Sequence, residues 1–228
     1  MGKELAVIAV SGGMDSCVTA AIAKELNFEL AFAHFNYGQR TQRRELQAFH
    51  DIADYYNVDH RLVIDYTHLA QIGGSSLTDR SIEVAKADLH SKDIPSSYVP
   101  FRNANILCAC VSWAEVLKAP RVFIGAVYED SSGYPDCRPE FFEAFSKMAD
   151  LGTKPSTNIL IETPIINLSK AEIVKKGVQL KAPLELTWSC YQNEDEACGI
   201  CDSCALRLRG FQNAETDDPI KYKIKPIY

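Results

Sequence analysis

The chain has 228 residues, 46% of them apolar and 24% charged, enough for one well-filled α/β domain with or without a small appendage and too few for two full ones. Its 24 basic and 30 acidic residues give a formal charge of −6, which argues against a protein whose main task is to coat nucleic acid. No apolar run reaches the about 18 residues of a membrane helix. Met1-Gly2-Lys3-Glu4 leads into a strand rather than into a charged and apolar leader, so the expectation is a cytoplasmic protein with no membrane contact.

Residues 5–10 form a continuous apolar run suited to a strand buried on both faces. Val18, Ile22 and Leu26 then recur at helical spacing and give a first helix its core face. A second strand is predicted at 30–35, and a helix at 41–56 carrying Leu46, Phe49, Ile52, Ala53 and Tyr56 inward. Residues 61–64 supply a short third strand. From 66 to 100 the periodicity fades and turn formers such as Gly73-Gly74-Ser75-Ser76 appear; loops this long in a compact domain are usually functional. A helix at 103–117 and a buried strand at 121–127 follow. Pro139 can start a helix that Gly152 ends, a fifth strand falls at 158–162, and Ser169-Lys170-Ala171-Glu172 is a capping box for a helix that Gly177 can close. Strands alternating with helices imply an α/β fold with a doubly wound parallel sheet and right-handed crossovers. Ligands bind such sheets at the carboxyl ends of the strands, beside the switch in strand order. The turn carrying Gly12 and Gly13 lies there, as do the loops beginning near Asn36 and Tyr128.

Ser11-Gly12-Gly13-Met14-Asp15-Ser16 sits between the first strand and the first helix. Adjacent glycines let backbone approach a ligand closely, and the unpaired N–H groups and dipole of a helix N-terminus favour an anion. The string is neither G-x-x-x-x-G-K-[ST] nor G-x-G-x-x-G. As S-G-G-x-D-S it resembles the pyrophosphate loop of the ATP pyrophosphatase superfamily, whose members split ATP between the α and β phosphates. In that resemblance Ser11 and Ser16 offer hydroxyls to the pyrophosphate, Gly12 and Gly13 approach it, Asp15 organises Mg²⁺ or the loop, and Val10, Met14 and Cys17 line the turn. A plain Gly-Gly turn N-capped by Asp15 or Ser16 is the alternative.

Cys190, Cys198, Cys201 and Cys204 fall within fifteen residues, the last three as C-x-x-C-x-x-C. Four thiolates so close can wrap one tetrahedral ion, either Zn²⁺ or iron in an iron–sulfur cluster. A ferredoxin run would continue with a further Cys and Pro. Here Ala205-Leu206-Arg207-Leu208 follows, a helical stretch, and the fourth ligand comes from upstream, which favours a closed structural zinc site. Cys108 and Cys110, two apart on a helix, fit small buried hydrophobes, Cys17 fits core packing, and Cys137 is set apart by its neighbours. His34 reads as a core residue within a strand. His50, His60, His68 and His90 have no motif context, and Arg40, Arg43 and Arg44 read as a solvated helix face.

Three further strings narrow the superfamily: Phe35-Asn36-Tyr37-Gly38-Gln39-Arg40, Val99-Pro100-Phe101-Arg102-Asn103, and Gly133-Tyr134-Pro135-Asp136-Cys137-Arg138-Pro139-Glu140-Phe141. With Thr187-Trp188-Ser189-Cys190-Tyr191 and the cysteine triplet, they resemble the 7-cyano-7-deazaguanine synthase (QueC) family from the first strand to about Arg209. Two departures stand out, since family members usually have Asp where Asn36 stands and often Gly where Phe101 stands. The resemblance implies an adenine nucleotide alpha hydrolase-like (HUP-type) body at 1–185 with a small zinc-binding segment at 186–228 packed on it. It implies an ATP-dependent ligase that joins 7-carboxy-7-deazaguanine and ammonia into a nitrile in queuosine-type nucleoside biosynthesis, with ATP, Mg²⁺ and Zn²⁺, and a homodimer. Asp15, Ser16 and Arg102 are the catalytic candidates. Arg102 is a planar, always charged donor suited to a carboxylate or phosphate, or else a surface ion-pair partner. Substrate contacts are expected from Arg102 and Asn103, from Tyr134 by stacking, and from Asp136 and Arg138, for which turn chemistry around Pro135 and Pro139 is the alternative. A tRNA-thiolating enzyme of the same superfamily would need a basic RNA surface, which the charge disfavours. A non-catalytic ATP-binding module would need no Arg- and Asp-bearing loops above the nucleotide.

Overall fold

On β1 (Leu5–Ala9), Ala6 and Ile8 face one apolar cluster while Val7 and Ala9 face another. A strand with both faces apolar must be covered by helices on both sides, and the rest of the fold follows from that. The computed structural model describes residues 2–89, 91, 93–128 and 133–228; His90 lies outside the described residues. β1 is the central strand of a parallel sheet ordered β3-β2-β1-β4-β5, with β2 (Glu29–Asn36), β3 (His60–Asp65), β4 (Arg121–Ile124) and β5 (Leu160–Glu162). Ile8 stands opposite Phe32 on one side and Phe123 on the other. The order reverses between β1 and β4, so the switch point lies beside the first βα turn.

α1 (Met14–Glu25) and α2 (Gln42–Tyr55) cover one face, and Val18, Ile22, Phe49 and Ile52 fill its core. After the short α3 (His68–Ile72), α4 (Arg102–Leu117) and α5 (Pro139–Gly152) cover the other face through Leu107, Val111, Phe142 and Phe145. The chain returns to the first face with α6 (Lys170–Gln179) and α7 (Asp202–Asn213). Phe211 and Ala214 join Val18 and Ile173 in the first core, so the C-terminal segment shares that core. Ser169 and Glu172 exchange both bonds of the expected capping box.

Four local expectations give way. Leu26 is 59% exposed, because α1 ends at Glu25 and the core stripe ends with it. β4 stops at Ile124, since Gly125 must turn against the backbone of Asp15, where a Cβ would stand 2.9 Å from three backbone atoms. Gly177 lies inside α6 and does not close it. Its missing side chain lets α6 approach α1, a Cβ there falling 2.9 Å from Val18 Cγ2, and Lys181 closes the helix in the left-handed region at φ 54°. Cys110 is buried as expected, but Cys108 is exposed on the outer side of α4.

Phe101, which precedes α4, also lies in the left-handed region (φ 56°, ψ 27°) and is 61% exposed, with a ring-edge contact to Phe141 at 6.1 Å. A non-glycine residue there costs about 1–2 kcal/mol, which accounts for the glycine usual at this position in the family it resembles. Phe101→Gly is expected to hold or raise stability by up to about 1 kcal/mol, the lost ring contact offsetting part of the relief. Phe101→Val, β-branched and poorly tolerated at positive φ, is expected to lose about 1 kcal/mol or more. Urea unfolding midpoints check the order.

Candidate active site

The turn after β1 is built on Gly12 at φ 89°, where an added Cβ would sit 2.5 Å from the carbonyl oxygen of Glu45. The Gly12 carbonyl in turn accepts the Trp188 N–H at 2.8 Å. Only glycine meets both demands. Gly13 begins α1 with no side-chain cap. The Ser11 hydroxyl accepts the Gly13 N–H at 3.2 Å, Ser16 Oγ donates to the Gly13 carbonyl at 3.0 Å, and the two hydroxyl oxygens lie 3.2 Å apart. Two hydroxyls thus converge over the N-terminal turn of a helix, the arrangement an anionic ligand needs. Asp15 Oδ2 takes Lys170 Nζ at 2.7 Å, while its buried Oδ1 has no hydrogen-bond partner among the described residues.

The loop separates two adjoining cavities that share Met14, Asp15, Asn103, Ser189, Tyr191 and Ser203 as walls. In one, Ser11, Gly13 and Ser16 face Tyr37, Glu45 and Arg102; in the other, Asp15 stands with Lys170, Tyr134 and Cys137. Arg102 Nη1 donates to the Tyr37 hydroxyl at 3.0 Å, and its guanidinium lies 5.3 Å from the Tyr37 ring centre and 5.9 Å from that of Tyr134. Its buried Nε has no partner among the described residues, leaving a donor for a ligand oxygen. Burial pushes the Tyr37 phenol up to about 12. Burial also pushes the Glu45 carboxyl up to about 7, against the Thr41 hydroxyl on Oε1 at 2.7 Å and the Gln39 amide on Oε2 at 3.0 Å.

The structure therefore gathers Val10, Ser11, Gly13, Met14, Asp15, Ser16, Arg102, Asn103 and Tyr134 around the two cavities, with Gly12 in the turn behind them. Cys17 points into the core, where burial drives its thiol up to about 12. Asp136 and Arg138 line neither cavity. Asp136 is buried and its Oδ2 accepts the Asn103 N–H at 2.9 Å, while Asn103 Nδ2 donates to the Asp136 carbonyl at 2.9 Å. The carboxylate thus caps α4 from a separate loop. Arg138 is exposed at the N-cap of α5. His34 is a core residue whose Nδ1 donates to the Val10 carbonyl at 2.9 Å. Arg40 is no solvated side chain: it donates to the carbonyls of Ser76, Asp79 and Ile82 and ties down the long loop. Sequence alone assigns no site role to Glu45 or Lys170, nor to Tyr37, Trp188 and Tyr191, which it marks only as members of the family-like strings. Lys170 was visible only as part of a capping box, and Glu45 as one more polar position on an amphipathic helix.

The Sγ atoms of Cys190, Cys198, Cys201 and Cys204 lie within 4.8 Å of one another, all on buried residues. The N–H groups of Gln192, Asn193 and Cys198 point at Cys190 Sγ, and those of Ile200 and Cys201 at Cys198 Sγ, at 3.3–3.4 Å. Backbone donors aimed at sulfur stabilise thiolates, so the donor set fits a soft metal ion. The segment is held in place by Arg207, whose side chain is 2% exposed. It forms a two-pronged pair with Asp218 at 2.7 and 2.9 Å and also reaches the Thr187 hydroxyl and the Leu184 carbonyl.

The family model described as "Queuosine biosynthesis protein QueC" matches residues 5–215. The chain belongs to the QueC family. A 7-cyano-7-deazaguanine synthase from Chloroherpeton thalassium is 60% identical over 223 residues, 98% of this chain and 99% of that protein. A second, from Chlorobium phaeobacteroides, is likewise 60% identical with the same coverage. Among solved structures, a 4-thiouridine synthetase in complex with RNA and ATP superposes with TM-score 0.52 over 96% of this chain and 47% of that one. At 14% identity the likeness shows the shared fold of a loop-bearing parallel sheet. In this QueC-family chain the four cysteines have the geometry of a metal site, and residues of the S-G-G-x-D-S loop line both cavities. No helix among the described residues is long and apolar enough to cross a membrane.

Two expectations follow for this segment. Cys201→Ser is expected to lower bound metal well below one equivalent per chain, read by elemental analysis of purified protein. Arg207→Met leaves the Asp218 charge buried and unpaired and is expected to cost about 3–5 kcal/mol of stability, measured by denaturant unfolding.

Proposed function

We propose that this chain is an ATP-dependent ligase that converts 7-carboxy-7-deazaguanine and ammonia into 7-cyano-7-deazaguanine, releasing AMP and pyrophosphate. The observation that carries the reading is the loop at Ser11–Ser16 standing between two cavities, one bearing Arg102 and the other Lys170 and Tyr134. Identity of 60% along the whole length of 7-cyano-7-deazaguanine synthases supports the same substrate.

The chemistry needs what the site offers. A carboxylate oxygen is a poor leaving group, so it must be adenylated before ammonia can displace it. The resulting amide oxygen meets the same obstacle, and a second adenylation followed by loss of AMP gives the nitrile, so one loop serves both halves. Catalysis then rests on positioning and on charge stabilisation. In this reading Ser11, Gly12, Gly13 and Ser16 hold the pyrophosphate, flanked by Val10 and Met14, while Cys17 packs beneath the turn in the core. Arg102 steadies the substrate carboxylate or α phosphate through its unpartnered Nε, and Asn103 and Tyr134 border the deazaguanine. Asp136 acts on the substrate only through Asn103, and the exposed Arg138 is left at the rim of α5.

Mg²⁺ fits Asp15, whose buried Oδ1 lacks a partner, and there it would neutralise phosphate charge. Zn²⁺ fits the four thiolates as a closed structural ion that supplies folding energy rather than chemistry. Ammonia as the nitrogen donor, the 1–185 and 186–228 division, a cytoplasmic location and a homodimer complete the proposal; the exposed Val116, Met148 and Leu151 on α4 and α5 support the last.

Metal-replete protein given 7-carboxy-7-deazaguanine, ammonium, ATP and Mg²⁺ is expected to yield the nitrile by mass spectrometry together with AMP and pyrophosphate, and nothing when any one of these is left out. Absence of nitrile from folded protein overturns the assignment. Gly12→Ala, which must push the loop off the Glu45 carbonyl, is expected to lose about 10²-fold or more in rate while retaining its metal.

A further inference from the structure

The proposed reaction, on which this inference rests, consumes ammonia, yet near neutral pH the nitrogen arrives as ammonium and must lose a proton before it can attack. A cation receptor that also accepts a proton is therefore required beside the reacting carbon. The cavities offer few candidates. Asp15 gives one oxygen to Lys170 at 2.7 Å, and its other oxygen is the one the proposed reaction assigns to Mg²⁺. Asp136 lines neither cavity and is spent on the N-terminus of α4. Among the described residues that line the cavities, Glu45 is the remaining carboxyl, and it lines the same cavity as Ser11, Ser16 and Arg102.

Its placement is fixed rather than incidental. The Glu45 backbone carbonyl is the atom against which Gly12 packs, so the loop and this side chain share one rigid junction. Each carboxylate oxygen accepts a single bond, from Thr41 on Oε1 and from Gln39 on Oε2. A carboxylate oxygen has a second lone pair, so both can still take an N–H. No Lys or Arg nitrogen forms an ion pair with Glu45 among the described residues. Tyr37 and Trp188 line the same cavity, and each ring carries a guanidinium, Arg102 at 5.3 Å and Arg44 at 4.8 Å, so the cation-binding face left to a ligand is that of the carboxylate itself.

We propose that Glu45 is the ammonium receptor and proton acceptor of this site. Ammonium docks on the carboxylate and passes one proton to it. The ammonia so formed attacks the acyl carbon of the adenylate, the C–O bond to AMP breaks with its electron pair leaving on the phosphate oxygen, and the remaining excess proton leaves with AMP or to water. The product is the amide with AMP, and the Glu45 proton returns to solvent.

The groups around Glu45 set its pH range. Burial raises it to about 7, the Thr41 and Gln39 bonds and the Arg102 charge on α4 pull it down, and Glu194 from the cysteine segment pushes it up. Tyr37, the other titratable neighbour, is raised to about 12 and stays neutral. A carboxyl raised above its ordinary value is the proton-accepting anion only above about pH 7. Activity at limiting ammonium is therefore expected to rise through pH 7 and then level off.

The test is Glu45→Gln, with wild type assayed beside it. The variant is expected to lose about 10²-fold in kcat/KM for ammonium, to keep its KM for 7-carboxy-7-deazaguanine, and to lose the inflection near 7. Because it must then draw on free ammonia, its rate should climb about tenfold per pH unit until ammonium itself deprotonates, so alkali partly rescues it. A purely structural Glu45 would instead depress kcat at every ammonium concentration and preserve the wild-type pH profile, and that result overturns the proposal. So does a higher KM for the deazaguanine with an unchanged ammonium dependence, which would make Glu45 a reader of the base. As a readout independent of turnover, a carbon-13 titration of the glutamate carboxyls should show a midpoint of about 7 that is absent from the variant. Wild type that forms no nitrile would defeat the ligase reading itself, whereas active wild type with an unaffected variant defeats only the role of Glu45.

Discussion

Everything at the active edge turns on one crowded residue. Gly12 is pinned on one side by the carbonyl of Glu45 from α2, and on the other by the N–H of Trp188 from the cysteine segment. That clamp decides where the Ser11 and Ser16 hydroxyls converge, how α1 presents its first turn, and which side chains can look across the loop. Sheet, second helix and metal segment meet at a single peptide unit, so the phosphate loop is a joint rather than an appendage. The close approach of Gly125 to the Asp15 backbone closes the joint from the β4 side.

Electrostatics at this edge are divided by role. Lys170 neutralises half of Asp15 and leaves the other oxygen bare. Arg102 is cradled by phenol and ring faces with one nitrogen unspent. Each charge is held by a neighbour that does not exhaust it, so the groups are oriented before any ligand arrives. Such preorganisation is the main resource of an enzyme whose chemistry is displacement at phosphorus and carbon.

The sequence made much of this legible. Apolar runs and helical spacings carry the alternation of strands and helices and the doubly wound sheet, though not the order of the strands, because the buried β1 and the amphipathic α2 obey simple periodicities. S-G-G-x-D-S and the cysteine spacing could be read as sites because few backbone shapes tolerate them. What stayed hidden depends on long-range packing. Glu45 sits at an ordinary polar position of a helix and becomes a cavity wall only when α2 lies against the loop. Asp136 looked like a ligand group in a motif-rich loop, and the fold spends it on the amide of Asn103. Gly177 resembled a terminator, yet it marks where two helices touch. Leu26 and Cys108 fell on the outer surface because periodicity states which residues share a stripe and not where the stripe stops.

Trp188, whose backbone bonds Gly12, is two residues from Cys190, whose carbonyl lies 3.1 Å from the hydroxyl oxygen of Thr41. Thr41 in turn bonds Glu45. The thiolate cluster and the nucleotide loop are thus successive links of one short chain of contacts, although no thiolate stands among the reacting groups. A cell that runs short of metal, or an oxidant that claims these sulfurs, would silence the enzyme from behind, with its substrates abundant and every reacting side chain intact.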